Sequence, residues 1–275
     1  DSLFFTTGYP DVDHLLSHVT TRFGTCFPGR LRACYLAGSY AEGHAIPESD
    51  VDLFIVFKDH FCPGEEAAVR RLEKDMCRES LIRLELAVGD EIELQEINRL
   101  PLKLSSKLLF GEDIRESIQL PAIDDYIQST ARKPWRYSAV ILRGQEELFL
   151  PLEYPDPGDE FYGYMHKSDG SKWLVAMVGA IITARLASEA RQYVPSRMYC
   201  ARLYQQFIHD EWTDLVCQVL ERFKAEWYYH IPLLALERMQ LSSICHSILN
   251  FENHYYMTYA ELLITSKVNQ FRVFI

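Results

Sequence analysis

The chain is short of paired cysteines, of metal-spaced histidines and of positive charge, and each shortage removes a class of function. Its seven cysteines (Cys26, Cys34, Cys62, Cys77, Cys200, Cys217 and Cys245) are scattered, odd in number and without a CxxC pair. That pattern argues against a disulfide framework or a zinc site and points to reduced thiols in a cytoplasm. The nine histidines show no HExxH or other ligand spacing, so the helix-borne zinc signature is missing. No signal-peptide pattern opens the chain, which begins at Asp1 rather than Met. The longest strongly apolar stretch, Trp173 to Ile182, is about half of what a bilayer crossing needs, and no membrane partner is expected. Lys and Arg number 28 against 39 Asp and Glu, a net charge of −11. A broad nucleic-acid surface needs clustered cations, so a nucleic-acid partner is not expected. An acidic cleft would instead concentrate a small cationic ligand, although solubility alone accounts for acidity equally well.

What is present is a globular composition, 48% hydrophobic and 24% charged over 275 residues, enough for one large domain or two ordinary ones. An amphipathic helix is predicted from Pro10 to Phe23 by Val12, Leu15, Leu16, Val19 and Phe23. Two short apolar runs follow, Ala33 to Ala37 and Val51 to Phe57, the second β-branched and aromatic as in a buried strand. Glu65 to Val88 reads as a helix closed by Gly89-Asp90. Ile92 to Ile97 alternates like a strand, and Arg99-Leu100-Pro101 begins a short helix ending near Gly111. Asp113 to Gly170 is less regular and rich in aromatics and proline. Beyond it Trp173 to Arg191 is nearly all apolar, the central helix of a bundle, and two further helical stripes follow, one from Leu203 to Phe223 and one from Leu241 to Leu249. The reading is an α+β chain. An α/β domain with a mixed sheet occupies residues 1–115, an irregular connection 116–165, and an α-helical bundle 166–275.

The chemistry concentrates in Leu36-Ala37-Gly38-Ser39-Tyr40-Ala41-Glu42-Gly43 and Ser49-Asp50-Val51-Asp52-Leu53. Gly38 lets backbone approach a phosphate closely, and its amide and the Ser39 hydroxyl can hold phosphate oxygens. Alternate residues of a strand share a face, so Asp50 and Asp52 point the same way while Val51 and Leu53 point into the core. Two neighbouring carboxylates repel unless a cation sits between them. Mg²⁺ takes carboxylate and phosphate oxygens together. Glu93, on the polar face of the strand expected at Ile92 to Ile97, is the favoured third carboxylate, ahead of Glu85 and Glu91. Such a cluster suits in-line displacement at a nucleotide phosphorus. Glu93 would either ligate metal or take the proton from the attacking hydroxyl.

These residues resemble the signature of the DNA polymerase β-like nucleotidyltransferase superfamily. The resemblance runs on through Ile92-Glu93-Leu94 and Arg99-Leu100-Pro101 to Leu108-Leu109-Phe110-Gly111. Small bacterial members of that superfamily usually carry Asp where this chain has Glu93, and Glu at that place is similar to the aminoglycoside adenylyltransferases acting on streptomycin and spectinomycin. Leu142-Arg143-Gly144 with Glu147-Leu148-Phe149 resembles the lead into their helical domain. Ala184-Arg185 and Val194-Pro195-Ser196-Arg197 resemble a helix Arg and a turn that contact nucleotide phosphates, with Arg197 where they carry Lys. The resemblance therefore implies ATP as donor, two Mg²⁺ ions held by Asp50, Asp52 and Glu93, and a nucleotide site of Gly38, Ser39, Arg185 and Arg197. From the residues alone, an Arg inside so apolar a helix needs an anionic partner, either a phosphate or an internal carboxylate.

The expected reaction is transfer of a nucleoside monophosphate, AMP from ATP, to a hydroxyl of a small cationic acceptor such as an aminoglycoside. Alternatives are a protein or tRNA acceptor, or a non-catalytic antitoxin or binding module whose helical half pairs with another protein. Trp135-Arg136-Tyr137 and Phe161-Tyr162-Gly163-Tyr164 could stack on a ligand, with core packing favoured. Glu252-Asn253-His254 could touch substrate, with burial favoured.

Overall fold

The computed structural model describes residues 3–96, 100–154, 161–162, 171–265 and 273–274. Arg99, Ile97, Gly163 and Tyr164 lie outside the described residues. The chain divides into two compact units, Asp1–Pro121 and Ala122–Ile275.

The first unit opens with α1 (Pro10–Cys26), whose Pro sits in the first turn, where a missing N–H costs nothing. Then come β1 (Leu31–Ala37), α2 (Gly38–Glu42), β2 (Val51–Phe57), α3 (Glu65–Glu79), β3 (Leu84–Asp90), α4 (Glu91–Glu96), α5 (Leu100–Ser105) and β4 (Lys107–Gly111). The sheet order is β3-β2-β1-β4. β1 pairs antiparallel with both β2 and β4, whereas β2 and β3 run parallel, so the sheet is mixed as the sequence implies. Period-two alternation gives it two cores. Cys34, Leu36, Leu53, Ile55, Phe57, Leu84 and Val88 pack under α1 and α3, while Ala33, Tyr35 and Val56 pack under Leu94, Leu102 and Ile114. Asp52, an even number of residues from Val56, belongs to this second face.

Two expectations fail in the stretch after α3. The helix read from Glu65 to Val88 stops at Glu79, and Ser80 turns into extended backbone (φ −70, ψ 131). Residues 84–90 form a strand. Residues four apart share a side in a strand as well as in a helix, so Leu84 and Val88 satisfied both periods. Leu81, between α3 and β3, is fully exposed. The strand expected from Ile92 is helix α4, because Asp90 Oδ1 accepts hydrogen bonds from the amides of Ile92 and Glu93 at 3.0 and 2.7 Å, capping that helix.

The second unit is helical. It comprises α6 (Ile123–Trp135), which runs on as π-helical turns at Arg136–Ile141, the short strand β5 (Leu148–Phe149), α7 (Lys172–Ala190), α8 (Cys200–Phe207), α9 (Thr213–Cys217), α10 (Phe223–Ala225), α11 (Ala235–Thr265) and β6 (Val273–Phe274). β5 and β6 pair in parallel. α6, with Pro134 inside it, occupies part of the stretch read as irregular. α7 is long and apolar enough to cross a membrane by length and composition, and 72% of that window is buried inside the protein. Arg143 and Glu252 form a buried ion pair, with Nη–Oε distances of 2.8 and 2.9 Å and the Tyr162 hydroxyl donating to Glu252 at 2.5 Å. Leu142-Arg143-Gly144 is thus tied to α11. Burial pushes the Cys34 and Cys200 thiols up, to about 12 and about 11, so both stay protonated.

Candidate active site

β1 delivers the chain into α2 through Gly38, which adopts φ +64. A Cβ built there would lie 2.0 Å from Asp52 Oδ2. Both the left-handed backbone and the carboxylate pressed against it require glycine at this position. Ser39 follows on the first turn of α2, and Gly43 closes that helix in the left-handed region. The loop to β2 is held by buried Ser49, whose Oγ accepts from the Ile46 amide at 2.9 Å while its own amide donates back to the Ile46 carbonyl. This double tie sets the direction from which Asp50 enters β2.

Asp52 pairs with Glu85 in the parallel register of β2 and β3. Asp50, Asp52 and Glu85 each bring one carboxylate oxygen to within 4.8 Å of the others. Among the described residues this is the group able to hold a metal ion. Three carboxylates so close are stable together only with a cation or a proton among them, and a hard divalent ion fits oxygen-only donors. Asp50 and Asp52 are half-buried, while Glu85 is exposed and lies 3.6 Å from Arg83. The group therefore opens to solvent on the Glu85 side.

The third carboxylate is thus Glu85 and not Glu93, a correction with a clear cause. Once residues 84–90 are a strand, Glu85 stands beside Asp52. Glu93 lies one turn into α4, with its Oε2 3.2 Å from where a Gly89 Cβ would stand. Gly89 is four residues beyond Glu85, roughly 13 Å along a strand. The signal that could have found Glu85 is the alternation of Leu84, Leu86 and Val88 against Glu85 and Ala87. Glu91 binds elsewhere, accepting from the Asp59 amide at 2.9 Å and facing Arg32 at 3.2 Å.

Both arginines implied for the nucleotide lie in the second unit. Arg185 is 4% exposed and already has anionic partners there. Its guanidinium meets Glu189 at 2.6 Å and Asp210 at 2.8 Å, and donates to the Tyr204 hydroxyl. The internal-carboxylate alternative is the one realised. Arg197 is exposed, and its aliphatic stem lies on Gly179, where a Cβ would come within 3.1 Å of Arg197 Cγ. Trp135, Phe161 and Tyr162 belong to the core. Glu252 is consumed by Arg143, Asn253 is bonded to the Leu152 backbone at 2.5 and 3.0 Å, and the His254 ring packs on Trp212.

The family described as Nucleotidyltransferase domain matches residues 25–132, a span that includes Gly38, Ser39, Asp50, Asp52 and Glu85. No curated protein matches the chain by sequence. Among solved structures, the chain is similar to spectinomycin adenyltransferase AAD(9) from Enterococcus faecialis, crystallised with ATP and spectinomycin. That likeness has 12% identity and a TM-score of 0.49, covering 89% of this chain and 98% of that one. It is also similar to a toxin–antitoxin protein solved with AMP-PNP, at 18% identity and a TM-score of 0.29, over 42% of this chain and 90% of that one.

Proposed function

We propose, from the premise that residues 25–132 are a nucleotidyltransferase domain, that this chain transfers AMP from ATP to a hydroxyl of a small cationic acceptor of the aminoglycoside class. The observation carrying this reading is the convergence of Asp50, Asp52 and Glu85 within 4.8 Å beside Gly38. Asp50 and Asp52 would hold Mg²⁺, which when bound supplies positive charge against the triphosphate and its developing negative charge. The Gly38 amide and Ser39 hydroxyl hold phosphate oxygens and orient the α-phosphorus. Glu85, the most exposed of the three, takes the proton from the acceptor hydroxyl as its oxygen bonds to that phosphorus and the bond to pyrophosphate breaks. The acidic balance of 39 against 28 charged residues supports a cationic acceptor over a tRNA end.

The test incubates the protein with labelled ATP and Mg²⁺ against a panel of aminoglycosides, bacterial proteins and tRNA. Pyrophosphate release and label transfer with aminoglycosides alone support the proposal. Transfer only to protein or tRNA replaces the acceptor, and no Mg²⁺-dependent ATP binding in calorimetry removes the reaction.

A further inference from the structure

At the end of the first unit's sheet away from Asp50 and Asp52 lies a cavity of about 390 Å³. Lys58 lines it, directly after the last residue of β2 and six positions past Asp52, roughly 20 Å along a strand. Leu3, Phe27, Leu31 and Phe110 form an apolar wall. The Phe4 amide donates to the Leu109 carbonyl at 2.9 Å, which holds neighbouring Leu3 beside β4.

The polar side chains lining the cavity can all donate a hydrogen bond. Ser17, Thr21 and Thr25 recur every four residues and so share one side of α1. Buried Thr20 directs its hydroxyl in the ordinary helical way, onto the Leu16 carbonyl at 2.9 Å. The hydroxyls of Ser17, Thr21 and Thr25 form no hydrogen bond among the described residues. Lys58 is half-buried, its amide fixed on the Arg30 carbonyl at 2.8 Å, and no carboxylate pairs with its ammonium among the described residues. No Asp or Glu lines the cavity, in a chain that carries 39 of them. A cation drawn partly out of water in such a place calls for an anion.

We infer that this cavity is a second binding site, for a small organic carboxylate with an apolar ring or chain. Lys58 and the three hydroxyls take the carboxylate oxygens, and Phe27, Leu31 and Phe110 cover the apolar body. One ammonium matches the single charge of a carboxylate better than a phosphate monoester, which carries about −1.5 to −2. The volume suits such a ligand, since small-molecule sites begin at roughly 300 Å³. The site is separate from the carboxylates of β2 and β3 and stands whether or not the chain transfers nucleotides.

The experiment is calorimetric titration of the full chain with phenylacetate, phenylethanol and phenyl phosphate, for wild type, Lys58→Gln, Lys58→Arg, Thr21→Val and Asp52→Asn. Wild type and Asp52→Asn bind phenylacetate alike, and phenylethanol binds wild type about tenfold more weakly or worse. Lys58→Gln weakens phenylacetate about tenfold with an unchanged thermal melt, Lys58→Arg keeps most of the affinity, and Thr21→Val, at an exposed helix position, loses a fewfold. Wild type that does not bind phenylacetate overturns the inference, as does equal affinity in wild type and Lys58→Gln, or an alcohol bound as tightly as the acid. Tighter binding of phenyl phosphate than of phenylacetate overturns the choice of carboxylate. Loss of phenylacetate binding in Asp52→Asn places the ligand at the other end of the sheet and overturns the second site.

Discussion

A Cβ on Gly38 would stand 2.0 Å from Asp52 Oδ2, so the end of β1 and the Asp52 carboxylate of β2 leave no room for a side chain between them. Gly38 belongs to the site through what it does not carry. The same missing Cβ permits φ +64 and leaves the Asp52 carboxylate lying directly against the turn from β1 into α2.

Gly38→Ala is accordingly expected to act on both counts. The left-handed backbone alone costs about 1–3 kcal/mol for a residue with a side chain, and the displaced Asp52 carboxylate loses its place among its neighbours. Titration with Mg²⁺ and ATP should show at least tenfold weaker binding, with a far-ultraviolet dichroism spectrum like wild type. Unchanged affinity would contradict the arrangement.

The two glutamates separate cleanly. Glu85→Gln removes a carboxylate that pairs in register with Asp52, and pyrophosphate release should fall by about 10²-fold or more. Glu93→Gln changes a group that lies over Gly89, so release should stay within a fewfold of wild type. The reverse ranking would restore Glu93 as the third carboxylate.

In the helical unit, Glu252 is fully buried and relies on Arg143 for its charge. Arg143→Ala strands that carboxylate and should destabilise the protein by about 3–5 kcal/mol in guanidinium unfolding. Arg143→Met combined with Glu252→Leu removes both charges together and should cost much less than the sum of the single changes. A simple sum would show the pair to be uncoupled.

Acid pH tests the exit from β4. The Arg115 guanidinium beside Asp113 holds that carboxyl down, at about 2 against an ordinary 3.8. Because the folded value is the lower one, the stability it contributes is complete above about 4 and is lost as the pH falls toward 2. Thermal melts of Asp113→Asn should therefore lack that part of the acid loss, while matching the pH trend of wild type between 5 and 7. An identical acid profile in both proteins would remove Asp113 from the account.

Much of the first unit was legible in linear order. Gly38-Ser39 and Asp50-Val51-Asp52 needed only the alternation of a strand and the conformational freedom of glycine, and β1, β2 and the mixed sheet followed from short apolar runs. The stretch from Leu81 to Ile97 was misread because its apolar residues recur at a spacing common to helix and strand. The decisive feature there is a single side-chain bond, Asp90 onto the amides of Ile92 and Glu93, which composition does not reveal. α6 lies within a stretch read as irregular from its aromatics and prolines. In the second unit the need of Arg185 for an anion was legible, but not which anion. Glu189 is one turn away, whereas Asp210 and Tyr204 arrive from elements whose approach depends on packing.

The sequence by itself determined that two aspartates would share a strand face behind a glycine-serine turn, because strand alternation and backbone freedom are local properties. Tertiary structure alone decided that Glu85 joins them, because the parallel register of β2 against β3 joins strands separated by a whole helix. No local preference encodes such a pairing. It is selected by burying Leu53, Ile55, Leu84 and Val88 in one common core.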